Sequence, residues 1–252
     1  LPDAIADAYR AFGRYREPLL PLDVCIACCV SEKTEKQLRE WPLKRLTARH
    51  FYEYNSSAKS HEQDPREVGH FVPRMLDLLA EGEEIHHSIE LSLDRLGRCP
   101  QDSWTQQQHA ALSRYALAYF DLVLCGAPMG ASGRRLKDDP LSVVLMFDIG
   151  ALDTEPLLTH WLHCENPYST IQFVQTTYWD FWEDCDYSNA FASDRPDFRQ
   201  RIRAWLLHPE HRKRFAAKML STDFLAQAEA QPSTGHTSFS TMIDGVFAQL
   251  TQ

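Results

Sequence analysis

Apolar residues along the chain recur mostly at intervals of three and four, and almost no run alternates strictly as a half-buried strand does. The pattern predicts an all-helical protein of about ten or eleven helices. Ile5, Ala8, Tyr9 and Phe12 line one side of a first helix between Asp3 and Tyr15, opposite Asp7, Arg10 and Arg14. Ser31 offers an N-cap to a short helix that stops before Pro42, and a third helix is predicted from Leu46 to Ala58. Asp64-Pro65 is the clearest start signal: the carboxylate accepts from the first-turn amides, and proline at the first position gives up a hydrogen bond no helix makes there. The stripe Val68, Phe71, Val72, Met75, Leu76, Leu79 follows, with a kink expected at Pro73. Further helices are predicted over Ile85–Leu96 with Gly97 as C-cap, from Asp102 or Ser103 to Gly126, and over Leu141–Leu152, Glu155–His163, Ser169–Glu183, Pro196–Leu207, Pro209–Leu220 and Phe239–Leu250.

The chain reads as a single compact multi-helix domain over 1–252, with a flexible loop at 126–139 where Gly126, Gly130 and Gly133 fall among Pro128, Ser132, Arg134, Arg135 and Lys137. No internal repeat of fixed period is visible.

Charge narrows the functions. There are 26 basic and 35 acidic residues, a net charge of −9 with the eleven histidines neutral, and no long basic tract. Nucleic acid is therefore not an expected partner. The apolar run Leu141–Ile149 is interrupted by Ser142 and Asp148 and is far shorter than the roughly 20 residues a membrane span requires, so no membrane association is expected. The N-terminal segment lacks the basic-then-apolar order of a signal peptide, and a cytoplasmic location is the expectation. The seven cysteines, odd in number, then read as free thiols.

Motifs that would carry chemistry are incomplete. Cys25-x-x-Cys28-Cys29 could share zinc or form a reversible disulfide, but no second pair at matching spacing follows and no strand precedes it. Buried or half-buried structural thiols are the expectation, because cysteine packs as a small hydrophobe. His86-His87 with Glu90, and His160-x-x-His163, could share helical faces, yet no His-Glu-x-x-His pattern or third ligand at a diagnostic distance accompanies them. No Gly-x-Ser-x-Gly elbow occurs, and the glycine-rich stretch 126–133 lacks the Gly-Lys-Ser/Thr ending of a phosphate loop. No catalytic residue, metal site or cofactor is assigned.

The segment from Tyr178 to Tyr187 sets five aromatics among four acids. On a continuous helix Tyr178, Phe181 and Trp182 share a core-facing side, while Trp179, Glu183 and Asp186 fall on a more exposed side beside Asp180 and Asp184. Trp179, Asp180, Trp182, Glu183, Asp184, Asp186 and Tyr187 are the candidate partner-binding residues, since aromatic anchors within a ring of acids suit a basic protein partner. Acids spaced like Asp180 and Asp184 bind magnesium in helical prenyl-transfer enzymes, but the second metal motif those enzymes need is missing.

The succession Cys25-Ile-Ala-Cys28-Cys29, Pro42-Leu43, a helix with Tyr52 and Tyr54, then His70-Phe71-Val72-Pro73-Arg74 leading into Met75–Leu79 resembles a family of bacterial helical proteins. Members carry an N-terminal cysteine cluster and a Phe-Leu-Pro-Arg stretch, where Val72 here replaces the leucine. The likeness extends to about residue 95. Such proteins are often met beside polymorphic toxins, so the resemblance implies a cytoplasmic immunity protein that occludes a basic toxin effector domain. It brings no catalytic residues. The alternative expectation is a metal-dependent helical hydrolase that reverses a toxin's modification, using histidines and acids gathered by the fold.

Overall fold

A computed structural model describes residues 1–126, 139–231 and 237–252, together with the backbone of Pro128–Met129 and Arg134–Arg135. Helices dominate, as the periodicity predicts. Among the described residues there are thirteen α-helices: α1 (Pro2–Ala11), α2 (Glu32–Glu40), α3 (Ala48–Ser56), α4 (Pro65–Ala80), α5 (Asp94–Gly97), α6 (Gln106–Cys125), α7 (Pro140–Ile149), α8 (Glu155–His163), α9 (Pro167–Asp180), α10 (Pro196–Leu207), α11 (Pro209–Met219), α12 (Thr222–Ala228) and α13 (Phe239–Thr251). Pro128 pairs with Arg135 and Met129 with Arg134 in a two-residue antiparallel ladder. The rest of the loop expected at 126–139, between Gly126 and Asp139, lies outside the described residues. None of the described helices is long and apolar enough to cross a membrane.

Caps explain most of the starts. Ser31 Oγ accepts from the Thr34 amide at 3.1 Å, and Asp64 Oδ1 accepts from the Arg66 amide at 2.7 Å with Pro65 in the first turn. Where the expected boundaries move, a specific hydrogen bond moves them. The helix expected over Ile85–Leu96 is instead a 3₁₀ turn at Ile89–Leu91 followed by α5. The Ile85 carbonyl, which a continuous helix would give to the Ile89 amide, accepts from Asn55 Nδ2 at 3.0 Å. Helix α6 starts at Gln106 rather than at Asp102 or Ser103, because Thr105 and Gln108 cap each other: the Thr105 amide donates to Gln108 Oε1 at 2.9 Å and the Gln108 amide to Thr105 Oγ1 at 3.3 Å.

The backbone falls into two compact units, Leu1–Phe120 with Pro128–Leu136 and Met146–Thr154, and Asp121–Ala127 with Lys137–Leu145 and Glu155–Gln252. The core of the first is centred on α4, whose Phe71 meets Phe51 of α3 at 5.7 Å and Tyr54 at 4.9 Å between ring centroids. Gly97, expected as a helix cap, closes α5 where a Cβ would stand 1.8 Å from the Ile149 carbonyl oxygen, so this contact admits only glycine. In the second unit α9 packs against α11, α12 and α13. There Phe173 and Phe215 stack at 3.7 Å, and the rings of Trp161 and Trp205 lie 5.6 Å apart.

Candidate functional site

The acidic-aromatic segment begins on the last turn of α9 and leaves it. Asn166 caps the start of this helix, its Oδ1 accepting from the Tyr168 amide at 2.9 Å. The end is set by Thr177, whose carbonyl accepts from the amides of Phe181 and Trp182 at 3.2 and 3.0 Å while its hydroxyl accepts from the Trp182 indole at 2.9 Å. Residues 181–186 therefore form a turn, closed where the Ser188 amide donates to the Asp180 carbonyl at 2.8 Å. A continuous helical face over Tyr178–Tyr187 does not exist.

The seven expected contact residues consequently separate. Trp182 and Tyr187 are buried, Tyr187 against Phe198 with centroids 5.8 Å apart, so neither ring is offered to a partner. Trp179 is 52% exposed. Glu183 and Asp184 are exposed beside it in sequence, and Asp180 and Asp186 are half-buried. Asp186 forms an ion pair with Arg199 and accepts from the Tyr187 amide, which gives it a structural task in the turn. The surface that remains is one tryptophan with two freely exposed carboxylates.

The second cluster is the cysteine loop of the first unit. Amides of Cys29 and Val30 donate to the Cys25 carbonyl at 3.1 and 3.0 Å, closing a tight turn. This brings Cys25 Sγ to 3.4 Å from Cys28 Sγ, and Cys28 Sγ to 3.2 Å from Cys29 Sγ. The expectation that these thiols pack as hydrophobes fails at Cys28, which is exposed, as is its neighbour Ile26. Cys25 is lowered from the usual thiol range by hydrogen bonds from the Cys28 thiol and from the amides of Cys28 and Ala27. Cys28, hydrogen-bonded to Cys29 and Cys25 and facing their charge, is pushed up to about 12.

Sequence reasoning missed what holds this loop. The Asp23 amide donates to Glu67 Oε2 at 3.0 Å, and the Asp23 carboxylate accepts from the Ser60 amide at 2.9 Å and from Gln63 Nε2 at 2.5 Å. The Cys25 amide donates to Ser57 Oγ at 2.8 Å. Glu67 is itself buried, accepting from the Tyr54 hydroxyl at 2.9 Å with Arg95 at 3.9 Å, and burial raises its carboxyl above the usual range. Arg95 also donates to the Tyr54 carbonyl and lies over the Tyr54 ring at 3.9 Å. A glutamate or arginine on a predicted helix usually faces solvent, so nothing in the spacing marks this network.

The histidines do not gather. The rings of His86 and His87 lie 4.1 Å apart between centroids, tilted by 40°, in a bend and not on a helix, and burial brings His86 down to about 4. His160 meets Asp121 at 2.8 Å, whereas His163 is exposed. A cleft of about 630 Å³ in the first unit is lined by Tyr15, Arg16, Glu17, Arg39, Trp41 and His70 among others. His70 is lowered by burial and shares a 2.9 Å hydrogen bond between its Nδ1 and the Tyr15 carbonyl. Among the described residues, the cysteine trio is the sole group of three or more His, Cys, Asp or Glu ligand atoms that converge. The chain matches no family model, no curated protein and no solved structure.

Proposed function

We propose that this chain is a binding protein that covers a basic protein domain, and that this domain is a toxin whose active site it blocks. The observation that carries the reading is the shoulder at the end of α9, where Trp179 stands 52% exposed on the last turn and Glu183 and Asp184 are exposed on the turn that follows it. A large ring held in water is unfavourable in the free protein and becomes an anchor when a partner covers it, while the acids select and steer a cationic surface. The net charge of −9 acts in the same direction at longer range. The resemblance of the first part of the chain to immunity-like proteins supports the choice of a toxin as partner.

The experiment is co-expression with the product of the adjoining gene. Rescue of growth by this chain, lost on combining Trp179→Ala with Glu183→Lys and Asp184→Lys while the variant remains folded by circular dichroism, is the expected outcome. Equal killing with and without the unaltered chain removes the toxin reading. Undiminished rescue by the triple variant removes the shoulder from the interface.

A further inference from the structure

We propose that Cys25, Cys28 and Cys29 hold one zinc ion through three thiolates, with the fourth coordination position open to solvent. The three sulfurs all lie within 4.8 Å of one another, and two of the separations are 3.4 and 3.2 Å. Thiolates bound tetrahedrally to zinc at about 2.3 Å stand roughly 3.8 Å apart, which falls between those two separations and the 4.8 Å that bounds all three. A disulfide would use two of the sulfurs and leave the third without a role. Packing explains little, since Cys28 is exposed and its two neighbours are half-buried.

A further feature suits a metal. The loop is held from below, through Asp23 and the Cys25 amide, by Glu67, Ser60, Gln63 and Ser57, so the sulfurs are positioned before an ion arrives. Soft thiolates favour zinc over magnesium or calcium. Among the described residues no fourth His, Cys, Asp or Glu ligand atom joins the trio, which leaves water or an external donor to complete the shell. On binding, three thiols release three protons to solvent and each sulfur gives an electron pair to the ion; nothing is oxidised or reduced.

The test uses the full chain, reduced, stripped with a chelator and titrated anaerobically with cobalt(II) as the spectroscopic probe. One equivalent should bind with thiolate-to-metal charge-transfer and tetrahedral ligand-field bands, and zinc should displace it. Cys28→Ser should weaken binding by more than the roughly 10–100-fold that loss of an outer-shell partner costs. Cys99→Ser, at a buried thiol outside the trio, should leave binding unchanged. Should a variant fail to fold, mass-spectrometric counting of alkylated cysteines in the unaltered protein reads the same site, with zinc shielding Cys25, Cys28 and Cys29 together. Absence of the charge-transfer band, undiminished binding in Cys28→Ser, or equal alkylation with and without zinc overturns the proposal.

Discussion

Lys218 shows how one side chain can finish an element to which it does not belong. It is buried on α11, and its Nζ donates to the carbonyls of Leu162 at 2.8 Å and Cys164 at 2.6 Å. These lie at the C-terminal end of α8, where carbonyls lack intrahelical partners and the helix dipole favours a cation. Burial lowers the ammonium to about 8, so the group is still mostly charged at neutral pH. Lys218→Met keeps the aliphatic stem but removes the charged donor, leaving the Leu162 carbonyl to Arg214 Nε at 2.9 Å and the Cys164 carbonyl to Ser169 Oγ at 3.4 Å, and should cost about 1–2 kcal/mol in urea unfolding at pH 7. His86 is shifted in the same direction, but within the acid range. Its ordinary value of 6.5 falls to about 4 in the fold, through burial first and then the neighbouring His87 and Lys59. As pH drops below 6.5 the unfolded chain takes up this proton before the native one does, so stability present above 6.5 is lost between 6.5 and 4. After allowing for partial solvent access the loss is about 2 kcal/mol. His86→Gln should flatten that part of the profile, seen as a smaller shift in urea midpoint between neutral and acid pH; an equal shift in both proteins rules His86 out as its source.

At the scale of elements, the cysteine loop depends on α4 and α5 through Glu67 and Arg95, both almost fully buried. Glu67→Gln leaves the Arg95 charge without its counterion and should destabilise the protein by about 3–5 kcal/mol. Asp23→Ala is milder, because it removes the ties to Ser60 and Gln63 without uncovering a buried charge. It should lower cobalt affinity by roughly 10–100-fold while helix content stays constant. Unchanged affinity would show that the loop keeps its shape without that carboxylate. The contrast also explains what was legible in the sequence. Helices whose ends are set by their own residues, such as α2 at Ser31 and α4 at Asp64-Pro65, could be read directly, and α8 and α10 fall at their expected bounds. The Thr105–Gln108 box and the Ser221 cap of α12 are local signals of the same kind. Segments whose backbone groups are claimed from afar, as Asn55 claims Ile85, carry no local mark. The candidate sites divide in the same way. Cys-x-x-Cys-Cys is visible as a motif, but the support beneath it comes from residues 32 to 44 positions away. In the acidic-aromatic segment the composition was legible, whereas the helix end at Thr177, which buries Trp182 and frees Trp179, was not.

For the whole molecule, the relevant quantity is the field an approaching partner meets. A net charge of −9 attracts any cationic domain from a distance, but within a Debye length of about 8 Å at physiological salt only nearby carboxylates decide where it lands. Glu183→Lys with Asp184→Lys changes the net charge by +4, from −9 to −5, and places that change on the turn that follows the exposed Trp179. The same two reversals made in the first unit, at the exposed Glu32 and Asp102, give an identical net charge. If long-range attraction alone governs encounter, the two double variants should associate with the partner equally slowly. If the shoulder of α9 is the landing place, the first pair should slow association by about 3- to 10-fold more than the second at low salt, and the difference should shrink as salt is raised. Trp179→Ala should instead act mainly on dissociation, because an apolar anchor contributes after contact is made. Stopped-flow association with the adjoining gene's product across a salt series separates these cases, and equal rates for the two charge variants would move the interface off this shoulder.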